Sequence, residues 1–294
     1  MVNLMNIGFI GTGVMGGAIA QHFLDAGHEL TVYNRTKSKT DSLVANGAKW
    51  VVTPKMLAEK TDVIFSMVGF PKDVESIYFS DNGVFAGLKP GSIVVDMTTS
   101  TPSLAERIDK EAHVQNSLAL DAPVSGGDIG AQNGELTVMV GGDKPAYEKM
   151  LPLFETIGKR VNFFGAAGTG QHAKMANQIM IAGTMTGLTE MLVYAKKANL
   201  PLQQVLDTLS SGGADNWSMD NYVPRILQGD YTPGFFAKHF LKDLRIALDE
   251  ADKMGLKLPA TERAKDLYEI MVDQANLGDD GTQGLIKTYP AWNK

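Results

Sequence analysis

Ten residues near the N-terminus, Ile7-Gly8-Phe9-Ile10-Gly11-Thr12-Gly13-Val14-Met15-Gly16, constrain the fold more than any other stretch of the chain. An apolar run of strand type empties into a glycine-rich turn, and an amphipathic helical pattern follows. Each glycine has its own steric task. Gly11 lets the backbone turn tightly, Gly13 lets it approach a pyrophosphate, and Gly16 lets the next helix pack close to the strand. That helix then turns its free N–H groups and positive end toward the phosphates. Glycine-rich turns also recur for conformational reasons alone, so the flanking pattern decides. Met5 to Ile10 reads as strand, Met15 to Ala26 as a helix closed by Gly27, and Glu29 to Tyr33 as a second strand rich in β-branched residues. Together they make a βαβ unit whose turn, with Thr12, Val14 and Met15, is expected to hold a dinucleotide.

A chain selective for NAD usually carries Asp or Glu at the end of the second strand, where a carboxylate binds the ribose 2′-hydroxyl. Here the segment reads Tyr33-Asn34-Arg35-Thr36, with no carboxylate. Arg35, flanked by the Thr36 hydroxyl and the Asn34 amide, suits a 2′-phosphate through charge-assisted hydrogen bonds. NADP is therefore expected, with NAD as the second choice. The alternative is an ordinary solvated arginine at a strand end.

The 294 residues are enough for a large first domain and a second one. A net charge of −6 supplies no basic stripe, although Lys37 and Lys39 cluster locally with Arg35, so no nucleic-acid partner is expected. The absence of cysteine excludes disulfides, thiolate catalysis and cysteine-ligated metals. The first residues lack a basic region, a long apolar stretch and a small-residue cleavage site, which makes the cytoplasm the default expectation. Met175 to Thr189 is uncharged and rich in Met, Ile, Ala and Gly, but it is too short to span a bilayer. Asn177, Gln178 and the flanking Lys174 and Glu190 fit a buried helix better, and no membrane partner is expected.

Strand-like runs at Val63 to Val68, Ile93 to Asp96, Ala119 to Pro123, Thr137 to Gly141 and Val161 to Phe164 alternate with helical ones. That alternation implies a mostly parallel, doubly wound sheet covered by helices, an α/β domain of Rossmann type over residues 1–165. After Gly165 the strand signals stop. One long helical pattern runs from about Gly168 to Asn199, then others at Leu202 to Leu209, Lys238 to Met254 and Ala260 to Ala275. An all-helical domain over 166–294 is expected, entered through the long helix, with the substrate in a cleft between the domains.

Three further segments carry chemistry. In Asp121-Ala122-Pro123-Val124-Ser125-Gly126-Gly127, a strand ends in a hydroxyl and successive backbone N–H groups that suit a small carboxylate, although a plain turn fits equally. In Gly165 to Asn177, glycines precede a helix that carries Lys174 and Asn177 three residues apart, on one face. A lysine there is often solvated, but the apolar run downstream points to burial, and desolvation disfavours the charged form and so favours proton exchange. His172, two residues from Lys174, should lie on another face and reads as structural. In Lys238-His239-Phe240-Leu241-Lys242-Asp243-Leu244, the Lys242-Asp243 pair fits surface charges on an amphipathic helix as well as it fits a site.

In this order and over essentially the whole length, these segments resemble the β-hydroxyacid dehydrogenase family. That family includes 3-hydroxyisobutyrate dehydrogenases, tartronate semialdehyde reductases and glyoxylate/succinic semialdehyde reductases. The resemblance implies a Rossmann-type domain followed by a helical one, and a homodimer or homotetramer. By the resemblance, Lys174 matches the catalytic lysine, Asn177 the substrate-orienting asparagine, and Ser125, Gly126 and Gly127 the carboxylate site. Lys242 and Asp243 match residues closing over nicotinamide and substrate, Phe235 an aromatic lining the pocket, and Met67, Val68 and Thr99 loops that touch the cofactor. The implied activity is hydride transfer between NADP and a small carboxylate-bearing hydroxyacid or semialdehyde, without a metal. The Asn34-Arg35-Thr36 run tilts the expectation toward a semialdehyde or glyoxylate reductase. An imine reductase shares the expected architecture, but the family's imine reductases lack the lysine. A non-catalytic NADP-binding module would also be expected to lose Lys174 or Asn177.

Overall fold

The computed structural model describes residues 4–293. The chain forms two compact units, one through Lys174 and one from Met175.

In the first unit, the strands are β1 (Asn6–Ile10), β2 (Glu29–Tyr33), β3 (Lys49–Trp50), β4 (Val63–Ser66), β5 (Ile93–Asp96), β6 (Leu118–Asp121), β7 (Val124–Ser125), β8 (Leu136–Gly142) and β9 (Gly158–Gly165). Between them lie α1 (Val14–Asp25), α2 (Asp41–Ala45), α3 (Pro54–Ala58), α4 (Pro71–Phe79), α5 (Pro102–Val114), α6 (Gly127–Asn133) and α7 (Lys144–Ile157). The sheet order is β3-β2-β1-β4-β5-β6-β8-β7, with β9 paired to β8. The strands from β3 to β6 are parallel, β8 runs antiparallel to β6 and β7, and β9 is parallel to β8. The chain reverses its strand order between β1 and β4, and ligands of such sheets bind at that switch point, beyond the carboxyl ends of the strands.

Alternation along the strands builds a core on each face. Ile7, Phe9, Val63, Phe65, Ile93 and Val95 pack on one side with Ile19 and Phe23 of α1 and Phe154 of α7. Ile10, Ile64 and Val94 pack on the other with Leu57, Val74, Leu104 and Ile108. The Phe23 and Phe65 rings lie 4.8 Å apart, and Phe65 meets Phe154 edge-on at 6.2 Å. Each fully buried phenylalanine stabilises the fold by roughly 2 to 3 kcal/mol. Helix α1 ends as its sequence predicts: Gly27 takes φ +89°, its N–H bonds to Leu24, and that of His28 bonds to Phe23. On the surface, His113 joins α5 to the turn before α7. Its Nδ1 lies 2.9 Å from the Asp109 carbonyl and its Nε2 3.2 Å from Asp143.

Helix α8 (Thr169–Lys197) starts in the first unit. In the second unit it is followed by α9 (Leu202–Leu209), α10 (Trp217–Leu227), α11 (Ala237–Lys253) and α12 (Pro259–Glu269), the last running into one π turn, Ile270–Gln274. Two larger cores and a small cluster of Met175, Ile246 and Ala247 hold this unit. Phe240, Leu241, Leu244, Tyr268 and Met271 form one, and Met185, Leu192, Val223 and Ile226 the other. Helix α10 has no counterpart in the sequence reading, because Pro224 inside it reads as a breaker. Among the described residues no helix is long and apolar enough to cross a membrane.

Candidate functional site

The three loop glycines divide their tasks by the space around them. A Cβ on Gly11 would stand 2.2 Å from the Met67 carbonyl oxygen, and one on Gly16 2.0 Å from that of Gly11. Both positions are closed by the protein's own backbone, and Gly11 also holds φ +93°. A Cβ on Gly13 would meet nothing within 4 Å. Gly13 is the N-cap of α1, where no side chain accepts the helix's first N–H groups and no acidic residue stands in the first turn. Open space before uncapped N–H groups, with Val14 exposed beside it, fits a pyrophosphate. Met15 is half-buried behind it.

Thr12 is part of the scaffold. It is buried, its N–H donates to Asn34 Oδ1 at 3.1 Å, and its hydroxyl donates to the Lys39 carbonyl. Asn34 Nδ2 donates in turn to the Thr36 carbonyl at 2.9 Å, so the Asn34 amide ties the glycine loop to the turn after β2. Arg35 and Thr36 are exposed on that turn. The Arg35 guanidinium lies 3.4 Å from Asp73 of α4. An exposed pair of this kind is worth about 1 kcal/mol or less, so a phosphate can compete for the arginine.

Beyond β4 and β5, half-buried Met67 and Val68 face a bracketed loop. Met67 N–H donates to the Ile10 carbonyl and Val68 N–H to Thr98 Oγ1. Asp96 accepts from the Ser66 hydroxyl at 2.8 Å and from the Thr98 N–H at 3.2 Å. Burial, and then the Asp96 charge, push the Tyr78 phenol well above its ordinary range; its hydroxyl sits 3.0 Å from that of Ser66. Gln171 of α8 closes the bracket around Thr99: its Oε1 accepts from Ser100 N–H at 3.0 Å and its Nε2 donates to the Thr98 carbonyl at 2.8 Å.

Asp121 fixes the start of α8. Its Oδ1 accepts from Gly168 N–H and its Oδ2 from Gln171 N–H, each at 2.8 Å. Burial pushes this carboxyl up to about 7, against the backbone amides of Gly168, Gln171 and Asp121 itself, which hold it down. Gly168 takes φ +86°, and a Cβ on Gly170 would stand 2.6 Å from the carbonyls of Asp121 and Met139. Glycines at 168 and 170 thus seat the helix directly on β6 and β8. Lys174 follows Gln171 by one turn and is buried, 6% exposed. Downstream of Asp121, half-buried Ser125 ends β7, and Gly126 and Gly127 hold φ +133° and +65°, which glycine adopts freely.

The second unit gathers its own set. Asn177 Nδ2 donates to Gln178 Oε1 at 2.7 Å, and Gln178 Nε2 donates to Asp243 Oδ2 at 2.6 Å. Lys242 Nζ lies 3.0 Å from Asp243 Oδ1. Asp243 and Gln178 are fully buried, so the Lys242-Asp243 pair is an internal feature and not a solvated helix face. Phe235 is half-buried, its ring 6.0 Å from that of Phe240. His172 is exposed on another face of α8.

Sequence reasoning missed Gln171 and Gln178 as parts of the site and left Asp121 without a role. A signal was present: Gln171, Lys174 and Gln178 recur at i, i+3 and i+7, a polar stripe inside an apolar helix.

Residues 6–168 match the family described as the NAD binding domain of 6-phosphogluconate dehydrogenase. Residues 168–289 match the one described as NAD-binding of NADP-dependent 3-hydroxyisobutyrate dehydrogenase. An uncharacterized oxidoreductase of Bacillus subtilis, YkwC, is 49% identical over 283 residues, 96% of this chain and 98% of that protein. The 2-hydroxy-3-oxopropionate reductase of Escherichia coli is 36% identical over 264 residues, 90% of each chain. Among solved structures, a 3-hydroxyisobutyrate dehydrogenase of Mycobacterium tuberculosis with L-serine superposes with a TM-score of 0.89 at 27% identity, covering 97% of this chain and 99% of that one. The chain belongs to the β-hydroxyacid dehydrogenase family and is an NAD(P)-dependent oxidoreductase acting on a CH–OH group.

Proposed function

We propose that this enzyme transfers hydride between NADP and a three-carbon acid that carries a hydroxyl or aldehyde oxygen on C3. The observation that carries the reading is the seat of Lys174. A buried lysine follows by one turn the residue, Gln171, that clamps the 98–100 loop at the carboxyl ends of the strands. The substrate class follows the relatives. The Escherichia coli protein is named for 2-hydroxy-3-oxopropionate, and the tuberculosis structure holds L-serine. Both ligands are carboxylates with oxygen on C3.

When bound, the nicotinamide supplies a hydride to a carbonyl carbon or accepts one from an alcohol carbon. Lys174 donates a proton to the carbonyl oxygen during reduction and, as the free amine, accepts it during oxidation. Ser125 and the N–H groups of Gly126 and Gly127 hold the carboxylate, which fixes the reacting carbon in line. Asn177 orients the substrate, Phe235 lines its apolar side and Lys242 lies toward the nicotinamide, while Asp243, fully buried, supports Gln178 and Lys242 without reaching the substrate. Gly11 to Gly16 hold the pyrophosphate, Met67, Val68 and Thr99 pack against the cofactor, and Arg35 takes the 2′-phosphate. No carboxylate ends β2, which supports NADP, as does the family description that matches residues 168–289.

The test is nicotinamide absorbance with NADPH and NADH in parallel against glyoxylate, succinic semialdehyde, methylmalonate semialdehyde, tartronate semialdehyde and a cyclic imine. NADPH oxidation by a three-carbon semialdehyde is expected. Lys174→Ala should lower turnover by about 100-fold or more while leaving NADPH binding intact. Turnover of the imine alone, or full activity in Lys174→Ala, would overturn the reading.

A further inference from the structure

Asn177 stands at one end of a hydrogen-bonded chain whose other end is a buried ion pair. From Lys242 Nζ the chain runs to Asp243 at 3.0 Å, to Gln178 Nε2 at 2.6 Å, and from Gln178 Oε1 to Asn177 Nδ2 at 2.7 Å. A side-chain amide can present its oxygen or its nitrogen to a neighbour, but an ionised carboxylate only accepts. Asp243 therefore obliges Gln178 to turn its NH2 inward and its carbonyl toward Asn177. That carbonyl also only accepts, so Asn177 must meet it with its own NH2. The acceptor character of one carboxylate thus sets the direction of two amides, although it lies 65 residues beyond Gln178 in sequence.

We propose that Gln178 is a positioning residue, which transmits the polarity of Asp243 to Asn177 and so fixes which end of the Asn177 amide is left for the substrate. The proposal rests on the reading of Asn177 as the substrate-orienting amide. A glutamine with 0% exposure in mid-helix, with its oxygen engaged by one named site residue and its nitrogen by another, leaves neither amide free to rotate without stranding a buried polar group. Around Asp243 the charges of Lys242 and of titratable His239, both on α11, act on one another, and Lys174 precedes Gln178 by one turn on α8.

The experiment compares Gln178→Glu and Gln178→Leu with wild type and with Asn177→Ala. In Gln178→Glu the new carboxyl faces Asp243 at hydrogen-bond distance, and two carboxyls that close share one proton. While that proton is held, the introduced carboxyl donates to Asp243 and accepts from Asn177, so the chain is whole. The kcat/KM of Gln178→Glu should approach wild type at acid pH and fall as pH rises through an ionisation that wild type lacks. Gln178→Leu should lose about ten- to a hundredfold in kcat/KM for the hydroxyacid at every pH, with the NADPH Kd within about twofold of wild type. Thermal melting of Gln178→Glu should follow the same pH course relative to wild type, and that readout holds whatever the enzyme turns over. A wild-type pH profile and melting curve for Gln178→Glu, or a folded Gln178→Leu with full kcat/KM, would overturn the proposal. Full activity in Asn177→Ala would instead overturn the reading of Asn177, while the melting curve would still report on the chain.

Discussion

Arg35 and Lys174 show how differently single residues come to be candidates for the roles proposed for them. Arg35 is exposed, its partner Asp73 3.4 Å away, and nothing in its packing singles it out. Its meaning lies in position, at the end of β2 where a carboxylate is missing, and that is legible in the sequence. Arg35→Ala should weaken NADPH binding by about tenfold or more and leave NADH nearly unchanged, because a charge-assisted bond to phosphate contributes roughly 1.5 to 3 kcal/mol. Isothermal titration with each cofactor decides it; equal losses for both would remove the 2′-phosphate role. Lys174 is equally visible as a candidate, but in the sequence its burial is only an inference from the apolar run that follows. The sequence reads Asn34 as part of the phosphate site, whereas its amide is bonded to the backbone of Thr12 and Thr36 and shapes the loop. The difference is physical. Residue type announces what bonds a side chain can make, and only the neighbours say which ones it does make.

At the scale of elements, the βαβ opening is readable almost to the residue, because backbone sterics and period-2 burial are local. Its glycines yield a contrast that tests the site. Gly13→Ala places a methyl where the protein leaves open space, so the fold should keep its melting temperature while dinucleotide binding weakens by about tenfold or more. Gly16→Ala drives a methyl into the Gly11 carbonyl, and should lower stability by roughly 1 to 3 kcal/mol even without ligand. Melting curves with and without NADPH separate the two. Elsewhere local signals mislead. The run from Ala119 to Pro123 reads as a single strand, but β6 stops at Asp121 and a separate β7 pairs antiparallel with β8. Short strands such as β3 and β7, of two residues each, carry no periodicity to detect. Helix α10 is hidden by Pro224, which a helix tolerates when packing outweighs the lost hydrogen bond.

Across the whole molecule, each unit buries one group whose ionisation should be felt in stability. In the first, burial raises Asp121 from 3.8 to about 7. The native state then holds this proton more tightly than the unfolded chain, so its contribution is full below pH 3.8 and is lost as pH rises through 7. In the second, burial and then Lys242 lower His239 from 6.5 to about 4. Its contribution is present above pH 6.5 and is lost as pH falls through 4. Melting temperatures of wild type minus Asp121→Asn should fall between about pH 4 and 7, and those of wild type minus His239→Gln should rise over the same range. A flat difference in either pair would refute that assignment. Class of fold, order of the two units, glycine loop, a nicotinamide cofactor and the candidate lysine are all readable in the chain, since each depends on short-range sterics or on the pairing of neighbouring elements. The seating of α8 by Asp121, the clamp of Gln171 on the Thr98 loop and the Gln178 to Asp243 bond join residues 50, 73 and 65 positions apart. No local pattern encodes such partners. They are chosen when the packed core brings distant polar groups out of water together and leaves them only each other to bond.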